Sequence, residues 1–112
     1  MATFNQLAVW DGFGPESELV SGTYVIILES HKRRTELLTE ILQRIPREQC
    51  ASGTIGRSEI NCGDLRILFY SRDEAQYKVQ GLGYIAGFAF EGYVDFNDDL
   101  YLYLMSLVNR SV

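Results

Sequence analysis

The stretch "TYVIILESHKRRTELLTEILQRI", residues 23–45, decides the fold class, because the spacing of its apolar residues changes midway. Its first part is apolar on both alternating faces, with Tyr24, Ile26 and Leu28 on one face and Val25 and Ile27 on the other. A strand of this kind is typical of a central position in a sheet that helices cover. The pattern therefore predicts a buried central strand.

The second part of the same stretch has the period of a helix. Its apolar residues recur at helical spacing, at Leu37, Leu38, Ile41, Leu42 and Ile45. Ser30 is a candidate N-cap, and Pro46 is a candidate helix stop. A helix is therefore expected to follow the central strand directly.

The segments on either side predict further strands and a last helix. Residues 7–10 predict a short strand, residues 59–71 a hairpin turning at Cys62, Gly63 and Asp64, and residues 84–94 a second strand that is apolar on both faces. Residues 98–109 predict a helix with acidic caps. The order strand, strand, helix, hairpin, strand, helix indicates one small layered domain, residues 1–112, of the α/β class with a mixed (α+β) sheet. The expected core includes Val25, Ile27, Leu38, Ile41, Leu42, Ile67, Phe69, Ile85 and Phe88.

The composition is typical of a globular protein and limits the kinds of partner that the chain is expected to bind. Of the 112 residues, 46% are hydrophobic and 22% are charged, which is ordinary for a folded domain. The 10 Lys and Arg against 15 Asp and Glu give a net charge of -5, which argues against non-specific binding to nucleic acid or to an anionic membrane. No signal-peptide pattern and no run of 18 apolar residues occurs, so a cytoplasmic protein that does not contact membranes is expected.

After the strand and helix of residues 23–45 come three segments in a distinctive order: "GDLRILFYS", then "QGLGYI", then the acid-terminated "GFAFEG". In this succession, residues 23–108 resemble the middle of a P-loop ATPase core of the phage packaging motor (terminase) type. The G-x-x-x-x-G-K-[ST] phosphate-binding loop is missing from the sequence, and Glu91 precedes Gly92 where that family has two acids. The resemblance therefore implies a relic that does not hydrolyse ATP.

Residue patterns for catalysis or metal binding are sparse. His31 is the single histidine, and neither Cys50 nor Cys62 has the flanking sequence of a nucleophile, so both are expected to be free thiols, with a disulfide as the alternative. The acids Glu91, Asp95, Asp98 and Asp99 suggest either a carboxylate site or helix caps with a solvated face, and capping is favoured. No catalytic residue, metal or cofactor is expected, so the chain is interpreted as not being an enzyme.

The basic residues His31, Lys32, Arg33 and Arg34 begin the predicted helix, although the helix dipole favours acids there. They directly follow the carboxyl end of the central strand, where open α/β sheets bind ligands. The cluster is thus a candidate site for phosphate, nucleic acid or an acidic protein surface, and the alternative is a solvated turn. Arg57, beside Gly53 and Gly56, is a second and weaker anion-binding candidate, for which turn formation is the alternative.

The last predicted helix, with its "YLYLMSLV" run, is apolar nearly all round and must bury more than one face. Its candidate interface residues are Tyr101, Tyr103, Met105 and Val108, and tyrosine is common at interfaces. The sequence therefore favours a non-catalytic interaction protein, such as a small phage or mobile-element accessory protein, that binds a protein partner or itself. The alternative is a module that binds nucleic acid or nucleotide through the basic helix start.

Overall fold

Six strands form one mixed sheet in the computed structural model, which describes residues 7–11, 19, 21–29, 34–43, 45–50, 54–56, 59–83, 85–91 and 97–109. The strands are β1 (Leu7–Asp11), β2 (Gly22–Leu28), β3 (Thr54–Ile55), β4 (Glu59–Cys62), β5 (Leu65–Ser71) and β6 (Gly87–Glu91). The helices are α1 (Arg34–Leu42), α2 (Arg47–Cys50), α3 (Arg72–Lys78) and α4 (Asp99–Asn109), and a 3-10 turn, Val79–Gly81, follows α3. The predicted α/β class is confirmed.

Strand β2 lies at the centre of this sheet, whose order is β1-β6-β2-β5-β4-β3. It runs parallel to both neighbours, and Ile26 is in register with Phe69 of β5 and Ala89 of β6. The outer pairs β1–β6, β5–β4 and β4–β3 are antiparallel. Residues 25–28 are fully buried, which confirms the central strand predicted from its two apolar faces.

Helices cover the two faces of the sheet and create two hydrophobic cores. On one face, Ile26 and Leu28 pack with Leu37 and Ile41 of α1. On the opposite face, Val25 and Ile27 share a core with residues of α3 and α4, including Ala75, Leu104 and Leu107. The fold is therefore a three-layer arrangement of helix, sheet and helices.

Two of the nine expected core residues differ from the prediction. Leu38 and Leu42 are partly buried and pack at the margin of the first core, whereas the other seven are fully buried. Each follows a buried residue, Leu37 or Ile41, by one position. One position is a rotation of about 100° on a helix, so these leucines lie on the side of α1 rather than against the sheet.

The structure also contains elements that the sequence left open. Residues 47–59 include the short α2 and β3. Residues 72–78, directly after β5, form α3. The N-terminus of α3 has a capping box, in which Ser71 Oγ accepts the Glu74 N–H at 3.4 Å and Glu74 Oε1 accepts the Ser71 N–H at 3.0 Å. Within the described ranges, each helix is too short or too polar to span a bilayer.

The predicted hairpin of β4 and β5 is confirmed, and it turns at Gly63 and Asp64. Arg66 Nε donates to Glu59 Oε1 across the two strands at 2.6 Å, and this hydrogen bond holds the pKa of Glu59 below its ordinary value. Cys62 is buried and is a free thiol, as expected, whereas the side chain of Cys50 lies outside the described residues. The hairpin therefore carries no covalent link at Cys62.

Gly22, the first residue of β2, occupies a position that other residues fit poorly. Its φ is +103°, and a Cβ atom built on it would lie 2.7 Å from the Cβ of Ala86. Its N–H donates to the Asp64 carbonyl at 3.0 Å, and the Ala86 N–H donates to the Thr23 carbonyl at 2.7 Å. These hydrogen bonds hold the start of β2 against both neighbouring segments.

We expect Gly22→Ala to lower the free energy of unfolding by about 2 kcal/mol or more, because it combines a strained φ with a steric clash. Gly83→Ala is the matched control, since a Cβ at Gly83 meets no atom within 4 Å. Chemical denaturation followed by circular dichroism measures both variants. Equal stability of the two variants would contradict the close approach at Gly22.

Candidate functional site: the groove between α3 and α4

Three leucines form the most deeply buried side of helix α4. These are Leu100, Leu104 and Leu107, a stripe that is buried in the second core. Their spacing of four and three residues places them on one side of the helix. The stripe fixes which other residues of α4 face outward.

The four interface candidates on α4 are all partly buried against the second core. The ring of Tyr101 meets Phe88 edge-on, with ring centroids 5.9 Å apart. The Tyr103 hydroxyl donates to the Gln80 carbonyl at 3.4 Å. Met105 and Val108 also contact this core, so much of their apolar surface is already used within the chain.

Leu102 is the exposed apolar residue of α4 that the sequence interpretation missed. Its exposure is 51%, whereas Leu100 and Leu104 on either side of it are buried. Two positions correspond to a rotation of about 200°, so Leu102 lies opposite the buried stripe. A helical wheel centred on the three buried leucines would have identified it.

A groove of about 590 Å³ lies between α3, the following 3-10 turn and the N-terminal half of α4. It is lined by Gln76, Val79, Gln80, Asp98, Asp99, Leu100 and Tyr103. Two of these residues are acidic and none is basic. Amide, phenol and carboxylate groups of this kind can bind a cation or hydrogen-bond donors from a ligand.

The acidic end of the groove is also the N-terminus of α4. Asp98 Oδ1 accepts the Leu100 N–H at 2.8 Å, and the Asp98 carbonyl accepts the Leu102 N–H at 3.0 Å. Asp98 is therefore the N-cap, as predicted for an acid at this position. Asp99 follows in the first turn, and both residues are exposed.

Lys78, the basic residue of α3 next in sequence to the groove residue Val79, interacts with residues outside the groove lining. Lys78 Nζ lies 3.5 Å from Glu74 Oε2 and 5.5 Å from the centroid of the Tyr70 ring. Burial raises the pKa of the Tyr70 hydroxyl above its ordinary value, so Tyr70 is neutral at physiological pH. Lys78 thus interacts with Glu74 and Tyr70, while the groove keeps its acidic lining.

Tyr77 and Leu102 are the two large apolar side chains that are exposed among the described residues, at 76% and 51%. Tyr77 precedes the groove residue Gln80 by three positions, and Leu102 follows Asp98 by four positions. Residues at these spacings are neighbours on a helical surface. Neither residue lines the groove itself, but each of the two helices that form it, α3 and α4, carries one exposed apolar side chain.

A second group of polar residues lies at the carboxyl ends of the parallel strands. Glu91, at the end of β6, is buried, and its Oε1 accepts the Glu29 N–H at 3.1 Å. The Arg72 guanidinium, just after β5, lies 5.6 Å from the centroid of the Phe90 ring. Glu91 thus holds the chain at the end of β2, whereas Asp98 caps α4. Asp95 lies outside the described residues, and no group of three metal-ligating side chains occurs within the described ones.

The predicted basic site falls largely outside the described part of the chain. This applies to His31, Lys32, Arg33 and Arg57, whereas Arg34 is the first residue of α1 and its side chain is not described. The elements next to this basic cluster are described. Helix α1 follows β2 on one face of the sheet, and α4 follows β6 on the other. Adjacent parallel strands whose helices lie on opposite faces form the topological switch point at which open α/β sheets bind ligands.

Comparison of the chain with protein-family models, curated proteins and solved structures found no significant match. The resemblance to a packaging ATPase core, the phage accessory role and the cytoplasmic location therefore stay predictions. Proposals about function depend on the residues and surfaces described above.

We expect Asp98→Ala to destabilise the fold by about 1 kcal/mol, because the Leu100 N–H loses its acceptor. Asp98→Asn should leave stability nearly unchanged, since asparagine also caps helices well. Urea denaturation of the two variants measures the difference. If both variants were equally stable, the N-cap role of Asp98 would be wrong.

Proposed function

We propose that this chain is a non-catalytic protein-binding module, and that its partner binds the surface formed by α3 and α4. The observation that supports this function is the exposure of Leu102 and Tyr77 on the two helices that form the groove. An exposed apolar residue by itself is ordinary. Two large ones on the helices that form a concave surface are typical of a binding site.

The rest of α4 makes this surface suitable for recognition. The groove residues Leu100 and Tyr103 are held by the second core and by the hydrogen bond to Gln80. A partner would therefore meet side chains that are already ordered, which reduces the entropy lost on binding. Tyr103 also offers contact area together with a polar group.

We expect Leu102→Asp to weaken binding to the partner at least about tenfold, because it places a charge in the apolar part of the interface. Its effect on stability should be within about 0.5 kcal/mol, since the position is exposed. Gln43→Asp is the matched control, because Gln43 is exposed just after α1 on the opposite face of the sheet. Both variants gain the same charge.

The measurement begins with affinity capture from the source cells and continues with titration of the purified partner against the wild type and both variants. Light scattering of the purified chain tests whether it self-associates. Equal affinity of the partner for all three proteins would contradict a binding role for the α3–α4 surface.

We also propose a second candidate function, the binding of an anionic ligand such as nucleic acid or nucleotide by Lys32, Arg33 and Arg34. It is favoured by the divergence of α1 and α4 at the carboxyl ends of β2 and β6, since ligands of open α/β sheets bind at such points. The triple alanine variant should then bind labelled DNA, RNA or nucleotide more weakly. Wild-type binding to nucleic acid should also fall as salt rises. Unchanged binding by the variant would remove the cluster from consideration.

A further inference from the structure

The acidic lining of the α3–α4 groove restricts the chemistry of its ligand. Asp98 and Asp99 are exposed at one end of the groove, and none of the described residues that line it is basic. Lys78, on the adjacent helix, is close to Glu74 at 3.5 Å and to the Tyr70 ring. The two carboxylates are therefore available to a cationic ligand, because no described basic residue of the groove lining competes for them.

Net charge acts in the same direction as this local charge. The chain carries a net charge of -5, which attracts cationic partners and disfavours anionic ones at this surface. Lysine and arginine are the side chains that combine a positive charge with an apolar stem. Such a stem can lie along the partly exposed ring of Tyr103 in the groove while the charge reaches the acids.

The distance between the apolar and acidic parts of the surface suggests the arrangement of the ligand. Leu102 follows Asp98 by four residues, which is about 6 Å along the axis of α4. A partner segment with an apolar and a cationic side chain at similar separation would contact both. Alternate residues of an extended segment lie about 7 Å apart on one face, so an apolar-x-basic sequence has a comparable spacing.

On these grounds we infer that the groove binds a segment of another protein that inserts a lysine or arginine beside Asp98 and Asp99 and an apolar residue against Leu102. This inference rests on the proposed protein-binding function and specifies its ligand. The charge of the partner determines specificity, while the apolar contact supplies much of the affinity.

The test uses the full chain labelled with ¹⁵N and three synthetic peptides, acetyl-Leu-Gly-Lys-amide and its counterparts ending in glutamate or norleucine. We expect the lysine peptide to shift the amide signals of Gln80, Asp99 and Leu100 saturably. The glutamate peptide should leave them unchanged, and the norleucine peptide should bind more weakly than the lysine peptide. Affinity for the lysine peptide should fall as salt is raised from about 0.05 M to about 0.5 M.

The Asp98→Asn, Asp99→Asn double variant should weaken binding of the lysine peptide about three- to tenfold, since exposed ion pairs contribute modestly. It keeps an N-cap acceptor at position 98. The control is Glu48→Gln, Asp64→Asn, which removes the same number of charges at exposed positions outside the groove and should bind normally. Absence of saturable shifts, equal binding of the glutamate peptide or equal weakening in the control would overturn the inference.

The outcome can be separated from that of the proposed function. If the partner requires Leu102 but binds the Asp98→Asn, Asp99→Asn variant at full affinity, the proposed protein-binding function stands and the inference of a cationic ligand is wrong. A lysine peptide that binds, together with a partner indifferent to Leu102, would overturn the proposed function instead. If the chain dimerises with rising concentration and the double variant abolishes the dimer, the occupant of the groove is a second copy of the chain. The inference that a different protein binds there would then be wrong.

Discussion

The burial of β2 on all sides is the constraint on which the rest of the structure depends. Parallel strands flank it, and residues 25–28 are inaccessible to solvent from either face. Its backbone groups can then be satisfied only by β5 and β6, and its side chains require a helical layer above and below. The positions of α1 on one face and of α3 and α4 on the other follow from this requirement. The α3–α4 groove is a consequence, because two helices that cover one face of a twisted sheet need not meet along their whole length.

The fold could be predicted from the sequence where the spacing of apolar residues matches the burial of those residues in the structure. Residues 23–45 identified β2 and α1, and the turn at Gly63 identified the β4–β5 hairpin, because both signals are local. Short α2 and β3 escaped prediction, since four and two residues carry too little periodicity to distinguish a helix or strand from a loop. Partial burial of Leu38 also escaped, because it depends on how far α1 is rotated against the sheet.

The candidate site was predicted only in part, for a related reason. Apolar composition drew attention to α4 but favoured its tyrosines, whereas Tyr101 packs against Phe88 and Leu102 is exposed. Which side of an apolar helix faces the sheet is settled by packing across sequence-distant elements. The groove was harder still to predict from the sequence, because Gln76 and Gln80 of its first wall are about twenty residues from Asp99 and Tyr103 of its second. Its only local signal was the acidic cap of α4.

The two edges of the sheet differ from its long central strands. One edge strand, β3, has only two residues, and the other, β1, contains an irregularity in register between Leu7 and Val9. Long flat edge strands invite pairing with strands of other molecules, and short or bulged ones resist it. The apolar strands β2, β5 and β6 are therefore separated from solvent by edges that are poor templates for aggregation. The apolar strands of the sheet are thereby kept from pairing between molecules, whereas the exposed Leu102 and Tyr77 lie on helices, outside the sheet.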